Sequence, residues 1–215
     1  MSSNPSLQQS RERLLNGVRQ FRKDVFPRRR EVYEQVIKEG QEPHTLFITC
    51  ADSRIDPELI TQSGPGDIFV ARNIGNIVPA YGDVLGGVSA VIEYAASALK
   101  VDQVVVCGHS DCGAMKGLLH QEALDKMPTV RRWLQNSHTA LSVAEALSPK
   151  TDEPAFLHHL IEQNVILQVN HLRTHPSVAG RIAQGNLAVY GWLYDIAAGT
   201  VSAYNDVEGR FEEVD

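Results

Sequence analysis

The stretch Asp102 to Cys107 (DQVVVC) runs into continuous apolar sequence, without the in–out alternation of a strand that has one wet face. Such a run is the mark of a parallel strand covered on both sides. A parallel sheet needs further strands joined by helices, and the rest of the chain supplies them. His44 to Thr49 (HTLFIT) reads as one strand. Asp67 to Ala71 (DIFVA) reads as another, reached through the turn Gly64-Pro65-Gly66. Val84 to Leu99 reads as a helix rich in Gly and Ala, against which something packs closely. Gly113 to Gln121 is expected to be a short helix. Val130 to Leu147 and Ala155 to Arg173 are expected to be longer ones, separated by Pro149 and Pro154. Leu187 to Ile196 and Val201 to Asn205 flank Ala197-Ala198-Gly199-Thr200, a hairpin pattern. The expectation is an α/β fold: a mainly parallel central sheet with an antiparallel edge strand, flanked by helices.

The N-terminal part differs. Gln8 to Val25 carries Leu14, Leu15, Val18, Phe21 and Val25 at helical spacing, and Pro27 is expected to stop that helix. Glu31 to Lys38 reads as a second helix closed by Gly40. This pair is too polar for a core and reads as a helical arm over residues 1–40, leaving a single α/β catalytic domain over 41–215.

With 43% hydrophobic residues the chain can bury a core, and its net charge of −6 gives no basic signal for nucleic acid or an anionic membrane. Arg28-Arg29-Arg30, preceded by Arg22 and Lys23, reads as a solvated or subunit-contacting face. No apolar stretch approaches the roughly 20 residues that span a bilayer. Met1 to Arg13 is polar and lacks the apolar core of a secretory signal, so the cytoplasm is the expected location. Three cysteines are an odd number for a disulfide framework. Beside histidines they suggest metal binding or catalysis.

Cys50 follows directly on the first strand, and His109 and Cys112 follow on the apolar one. Ligands in open α/β sheets gather beyond the carboxyl ends of strands. Two thiolates and an imidazole form a ligand set for a catalytic zinc, with the fourth position left to water. A cysteine at a helix N-terminus favours the thiolate that zinc requires. Taken singly, each cysteine could be a small buried hydrophobe and His109 a core histidine. Their occurrence at corresponding strand ends favours the metal. Cys107 lies within the apolar strand and is expected to face the sheet packing instead. Asp52, with Arg54 two residues on, adds a carboxylate that can accept a hydrogen bond from water or close the site, and a cation with paired donors to hold it.

Cys50-Ala51-Asp52-Ser53-Arg54 together with His109-Ser110-Asp111-Cys112-Gly113 resembles the two signature motifs of the beta-class carbonic anhydrases. The similarity runs from about Gln41 to Leu119, and more loosely to Gly191-Trp192. The resemblance implies Cys50, His109 and Cys112 as ligands of one Zn2+ per chain, with Asp52 and Arg54 orienting the reacting water. It implies reversible hydration of carbon dioxide to bicarbonate. Further positions are similar to the plant-like branch. Gln41, nine residues before Cys50, matches a glutamine that hydrogen-bonds substrate. Phe69, Ile74 and Tyr94 match pocket positions and could equally be plain core, and Gly113 matches a glycine lining the pocket. Another branch carries a regulatory bicarbonate pocket that needs a tryptophan where this chain has Phe47, so no such pocket is expected. The resemblance also implies a homodimer or higher homo-oligomer, with the N-terminal helices reaching a neighbour and some pocket residues crossing between subunits.

Two thiolates offset the charge of zinc, so activity is expected to rise with pH on the alkaline side of neutral. No proton shuttle can be assigned among His44, His120, His138, His158, His159, His171 and His175. The rival readings are a carbon disulfide or carbonyl sulfide hydrolase on the same fold and a non-catalytic zinc module. A nucleotide binder is disfavoured, because Gly108, Gly113 and Gly117 do not form a phosphate loop.

Overall fold

A computed structural model describes residues 4–82 and 86–214, which form two compact units, one running to Gln41 and the other beginning at Glu42. The first unit holds α1 (Pro5–Gln20) and α2 (Phe26–Glu39), joined by a π-helical turn over Phe21–Val25. Asn4 caps α1 by accepting a hydrogen bond from the Ser6 amide at 3.0 Å. Pro27 does not stop the helix as the sequence suggests. It falls in the first turn of α2, where its missing N–H is not needed, and the wide turn before it absorbs the change in pitch. Gly40, at φ 88°, ends α2. Neither helix buries a residue, and Leu14, Val18 and Ile37 are among the exposed apolar side chains.

The second unit is built on a six-stranded sheet in the order β2-β1-β3-β4-β5-β6. The strands are β1 (Thr45–Cys50), β2 (Ile68–Asn73), β3 (Gln103–His109), β4 (Ala188–Asp195), β5 (Thr200–Asn205) and β6 (Arg210–Glu213). The first four in the spatial order run parallel, and β5 and β6 pair antiparallel at one edge. The fold is therefore the α/β class read from the sequence, with a second antiparallel strand that the sequence hid. β6 is four residues long with three of them charged, so no alternation marks it.

The helices are α3 (Pro57–Thr61), α4 (Gly87–Glu93), α5 (Gly113–Leu119), α6 (Pro128–Trp133), α7 (His138–Leu147), α8 (Glu153–Leu172) and α9 (Pro176–Ala183). α4 continues as a π-helix over Tyr94–Leu99, and the expected start of this helix at Val84 lies outside the described residues. The single helix expected over Val130 to Leu147 is broken by a 3-10 turn at Leu134–Ser137. That turn brings Ser137 fully inside, where its hydroxyl donates to Asn164 Oδ1 at 2.8 Å. The short α3 and α9 carried too few periodic positions to be anticipated.

α8 is the central helix. Phe156, Leu157, Leu160, Ile161, Val165, Val169 and Leu172 form its buried stripe. It lies close on β3 and β4 because Gly108 and Gly191 leave room: a Cβ at Gly108 would stand 2.6 Å from Val165 Cγ2, and one at Gly191 2.9 Å from Val165 Cγ1. The opposite sheet face carries Phe47, Val105 and Cys107, with Ile68, Val70, Trp192 and Tyr194 packed against them. Phe47 meets Trp192 edge-on at 6.0 Å.

Candidate metal centre

β1 and β3 are neighbours in parallel register, with Thr49 opposite Cys107. Adjacent strands lie about 4.8 Å apart, so the carboxyl-terminal residues of both arrive at one place. Cys50 ends β1 and His109 ends β3. Beyond His109 the chain turns sharply at Asp111, which adopts φ 60°, and this delivers Cys112 to the N-cap of α5. Ligand atoms of Cys50, His109 and Cys112 all lie within 4.8 Å of one another, and all three residues are buried.

The imidazole is held in a defined tautomer. His109 Nδ1 stands 2.8 Å from the Ser110 carbonyl, which can only accept, so Nδ1 carries the proton. Nε2 therefore presents a bare lone pair, and this buried nitrogen has no hydrogen-bond partner. Buried polar atoms are rarely left so, because each costs desolvation without return. A cation between the imidazole and the two sulfurs removes the anomaly, and the donor set suits zinc.

The thiols point the same way. The Cys50 thiol is lowered to about 4, first by its contact with Cys112, against burial, and helped by the Gly75 amide. The Gly75 N–H donates to Cys50 Sγ at 3.4 Å. Cys112 is pushed up, because the Cys50 charge beside it and its own burial both oppose a second anion. One thiol of the pair ionises easily and the second resists, a conflict that a divalent cation resolves. Cys107 is separate: burial pushes it up to about 12, and its thiol donates to the Gly108 carbonyl at 3.3 Å.

Asp52 and Arg54 lie beside this group. Arg54 Nε donates to Asp52 Oδ1 at 2.9 Å and Nη2 to Oδ2 at 2.7 Å. The guanidinium holds the carboxyl well below the usual carboxylate range. Asp52 Oδ2 is 4.0 Å from His109 Nε2, so the acid borders the Cys50–His109–Cys112 group without bonding to it. Arg54 Nη1 also donates to Asp111 Oδ2 at 2.9 Å, and Lys116 bonds the other Asp111 oxygen. Asp111 sits inside the quoted motif, but nothing in the sequence says that it ties Arg54 to α5. Arg72 was also missed as a brace: it donates to the carbonyls of Cys50 at 3.1 Å and Asp52 at 2.6 Å. Both are long-range contacts with no local sequence pattern.

The other expected site residues are more dispersed. Gly113 opens α5 next to Cys112. Ile74 is exposed on the loop after β2, its carbonyl held by Trp133 Nε1 at 2.8 Å. Phe69 and Tyr94 meet at a tilt of 42° with ring centres 6.0 Å apart. Tyr94 also lines a cavity of about 430 Å³ with Tyr81, Ser89 and Glu93. Gln41 is exposed at the end of the first unit.

Comparison with known proteins accords with this geometry. The family described as Carbonic anhydrase matches residues 45–201. A carbonic anhydrase of Synechococcus elongatus is 47% identical over 192 residues, which are 88% of this chain and 70% of that protein. The solved beta-carbonic anhydrase CcaA shares 40% identity at a TM-score of 0.92, covering 96% of this chain and 93% of its own. A tetrameric beta-carbonic anhydrase from Sordaria macrospora shares 30% identity at a TM-score of 0.66, covering 97% and 95%. With nearly the whole chain aligned on these folds, and two cysteines and a histidine gathered at the ends of β1 and β3, the chain belongs to the beta-class carbonic anhydrases.

Proposed function

We propose that this chain catalyses the reversible hydration of carbon dioxide to bicarbonate and a proton, with one zinc per chain held by Cys50, His109 and Cys112. The main support is His109 Nε2, a buried lone pair with no partner, facing two sulfurs. A zinc ion held by these three residues would make hydroxide available near neutral pH by lowering the pKa of a bound water.

The rest falls to the chain's own side chains. Asp52 accepts a hydrogen bond from the reacting water and sets its orientation. Arg54 grips both carboxylate oxygens, which keeps Asp52 ionised as an acceptor and restrains it from swinging inward. Asp111 and Lys116 brace Arg54 in turn. Phe69, Ile74 and Tyr94 furnish apolar walls for carbon dioxide, Gly113 lines the pocket, and Gln41 hydrogen-bonds the substrate, as in the plant-like branch.

The working form is a homodimer or larger, in which residues 1–40 serve as an arm and 41–215 as the catalytic domain. The tetrameric relative and the absence of any buried residue in α1 and α2 support this. Free cysteines accord with a cytoplasmic location, and among the described residues no helix is long and apolar enough to cross a membrane.

Stopped-flow carbon dioxide hydration across pH, with zinc measured on the same sample, tests the assignment. Fast hydration that rises toward alkaline pH, at one zinc per chain, is expected. Full zinc without hydration would overturn it.

A further inference from the structure

Two positions in the buried stripe of α8 are amides. Asn164 and Gln168 are both 0% exposed, one turn apart, where packing alone would favour apolar side chains. Burying an amide is costly unless its hydrogen bonds are made, and here they are made toward one target. Asn164 Nδ2 donates to the Gly75 carbonyl at 3.1 Å. Gln168 Oε1 accepts from the Val78 amide at 2.9 Å. Between the two, Gln168 Nε2 donates to Asn164 Oδ1 at 2.9 Å, and the Ser137 hydroxyl donates to the same oxygen at 2.8 Å. Each amide is therefore locked in one orientation by its neighbours.

The segment they hold has no regular structure of its own. Gly75 adopts φ 82° and Asn76 φ 49°. From within, the Asn73 side chain bonds both the amide of Ile77, at 2.8 Å, and its carbonyl, at 2.9 Å. Gly75 is also closely packed, since a Cβ there would stand 3.0 Å from Ala114 Cβ. The product of these restraints is the aim of a single group, the Gly75 N–H that donates to Cys50 Sγ.

We propose that Asn164 and Gln168 are positioning residues for the metal centre, fixing the Gly75–Val78 backbone so that the Gly75 N–H is directed at the Cys50 sulfur. This rests on Cys50 being a zinc ligand, as proposed above. A hydrogen bond to a metal thiolate fixes the sulfur's direction and draws charge from it. Such outer contacts set both affinity and electronics at a metal. Without the bond, the sulfur becomes richer in electrons and less well placed.

The test is zinc affinity by chelator competition, with the visible spectrum of the cobalt-substituted protein as a second readout. Asn164→Ala is expected to weaken zinc binding about 10-fold. It should also move the thiolate-to-cobalt charge-transfer band to longer wavelength. Val105→Ala, which trims a buried side chain in the cluster on the opposite sheet face, a cluster that includes neither the loop nor a ligand residue, controls for lost stability and should move neither. Asn164→Ala with wild-type affinity and an unmoved band would overturn the proposal. Should that variant not fold, amide hydrogen exchange on the zinc-loaded wild type decides. Gly75 should exchange as slowly as the amides of β1, and exchange at the rate of an open loop would overturn the proposal equally. Cys50→Ala separates the two levels. If its zinc affinity matches wild type, the ligand assignment fails; if it falls while Asn164→Ala is silent, only the positioning role fails.

Discussion

Asp52 presents both carboxylate oxygens to Arg54, at 2.9 and 2.7 Å, while Oδ2 stays 4.0 Å from His109 Nε2. The acid is thus poised at the edge of the Cys50–His109–Cys112 group and restrained from behind. Asp52→Asn should lower carbon dioxide hydration by about 100-fold or more, the scale on which a positioned acid or base acts. Zinc content should remain near one per chain. Turnover close to wild type would remove Asp52 from its role. Arg54→Lys keeps the charge but loses the fork, and should fall between the two.

Cys107 is set apart from the other two cysteines by the face of the sheet on which it packs. Cys107→Ala should retain zinc and activity and cost only about 1 kcal/mol in denaturant unfolding. Cys112→Ala should lose zinc on gel filtration. Metal analysis of the two variants side by side checks the contrast.

Gly108 lets α8 lie on β3. Gly108→Ala should destabilise the fold by about 1–3 kcal/mol, because the new methyl overlaps Val165. Removing the obstruction with Val165→Ala in the same chain should recover part of the loss. Equal losses that simply add would show that Val165 is not the obstacle.

His158 and Glu162 form a pair one helical turn apart, Nε2 to Oε1 3.5 Å. Glu162 raises His158, so the stability this histidine contributes is fully present below its ordinary value of 6.5 and is lost as pH rises through the folded value. Burial acts to raise Glu162, but His158 and His159 overcome it, and its net shift is downward. Its contribution is present above its ordinary value of 4.5 and lost as pH falls through the folded value. His158→Gln should therefore reduce stability at about pH 5.5 and have little effect near pH 9. The loss should stay below about 1 kcal/mol, since the histidine is half exposed and solvent screens it. Thermal melts at both pH values measure it.

The parallel core was legible because Val104, Val105 and Val106 leave no wet face, and the gathering of Cys50, His109 and Cys112 because each follows on or ends a neighbouring strand. What stayed hidden depends on contacts far apart in sequence. Arg72 braces Cys50 across 22 residues, Arg54 reaches Asp111 across 57, and Asn164 reaches Gly75 across 89. The break at Leu134–Ser137 was invisible for a similar reason. Its apolar spacing suits one long helix, and the pull on Ser137 comes from α8. Pro27 misled in the other direction, since it opens α2 just after a π turn, in a first turn where its missing N–H is not needed.

The pairing of Thr49 with Cys107 across β1 and β3 has a consequence for how such a chain can change. The sheet acts as a ruler that measures position within strands and ignores the distance travelled between them. Residues could be added to or taken from the exposed turns of the crossover that separates Cys50 from His109, and both would still arrive together. One residue added inside β3 would turn every later side chain of that strand to the opposite face and leave His109 short of its partners.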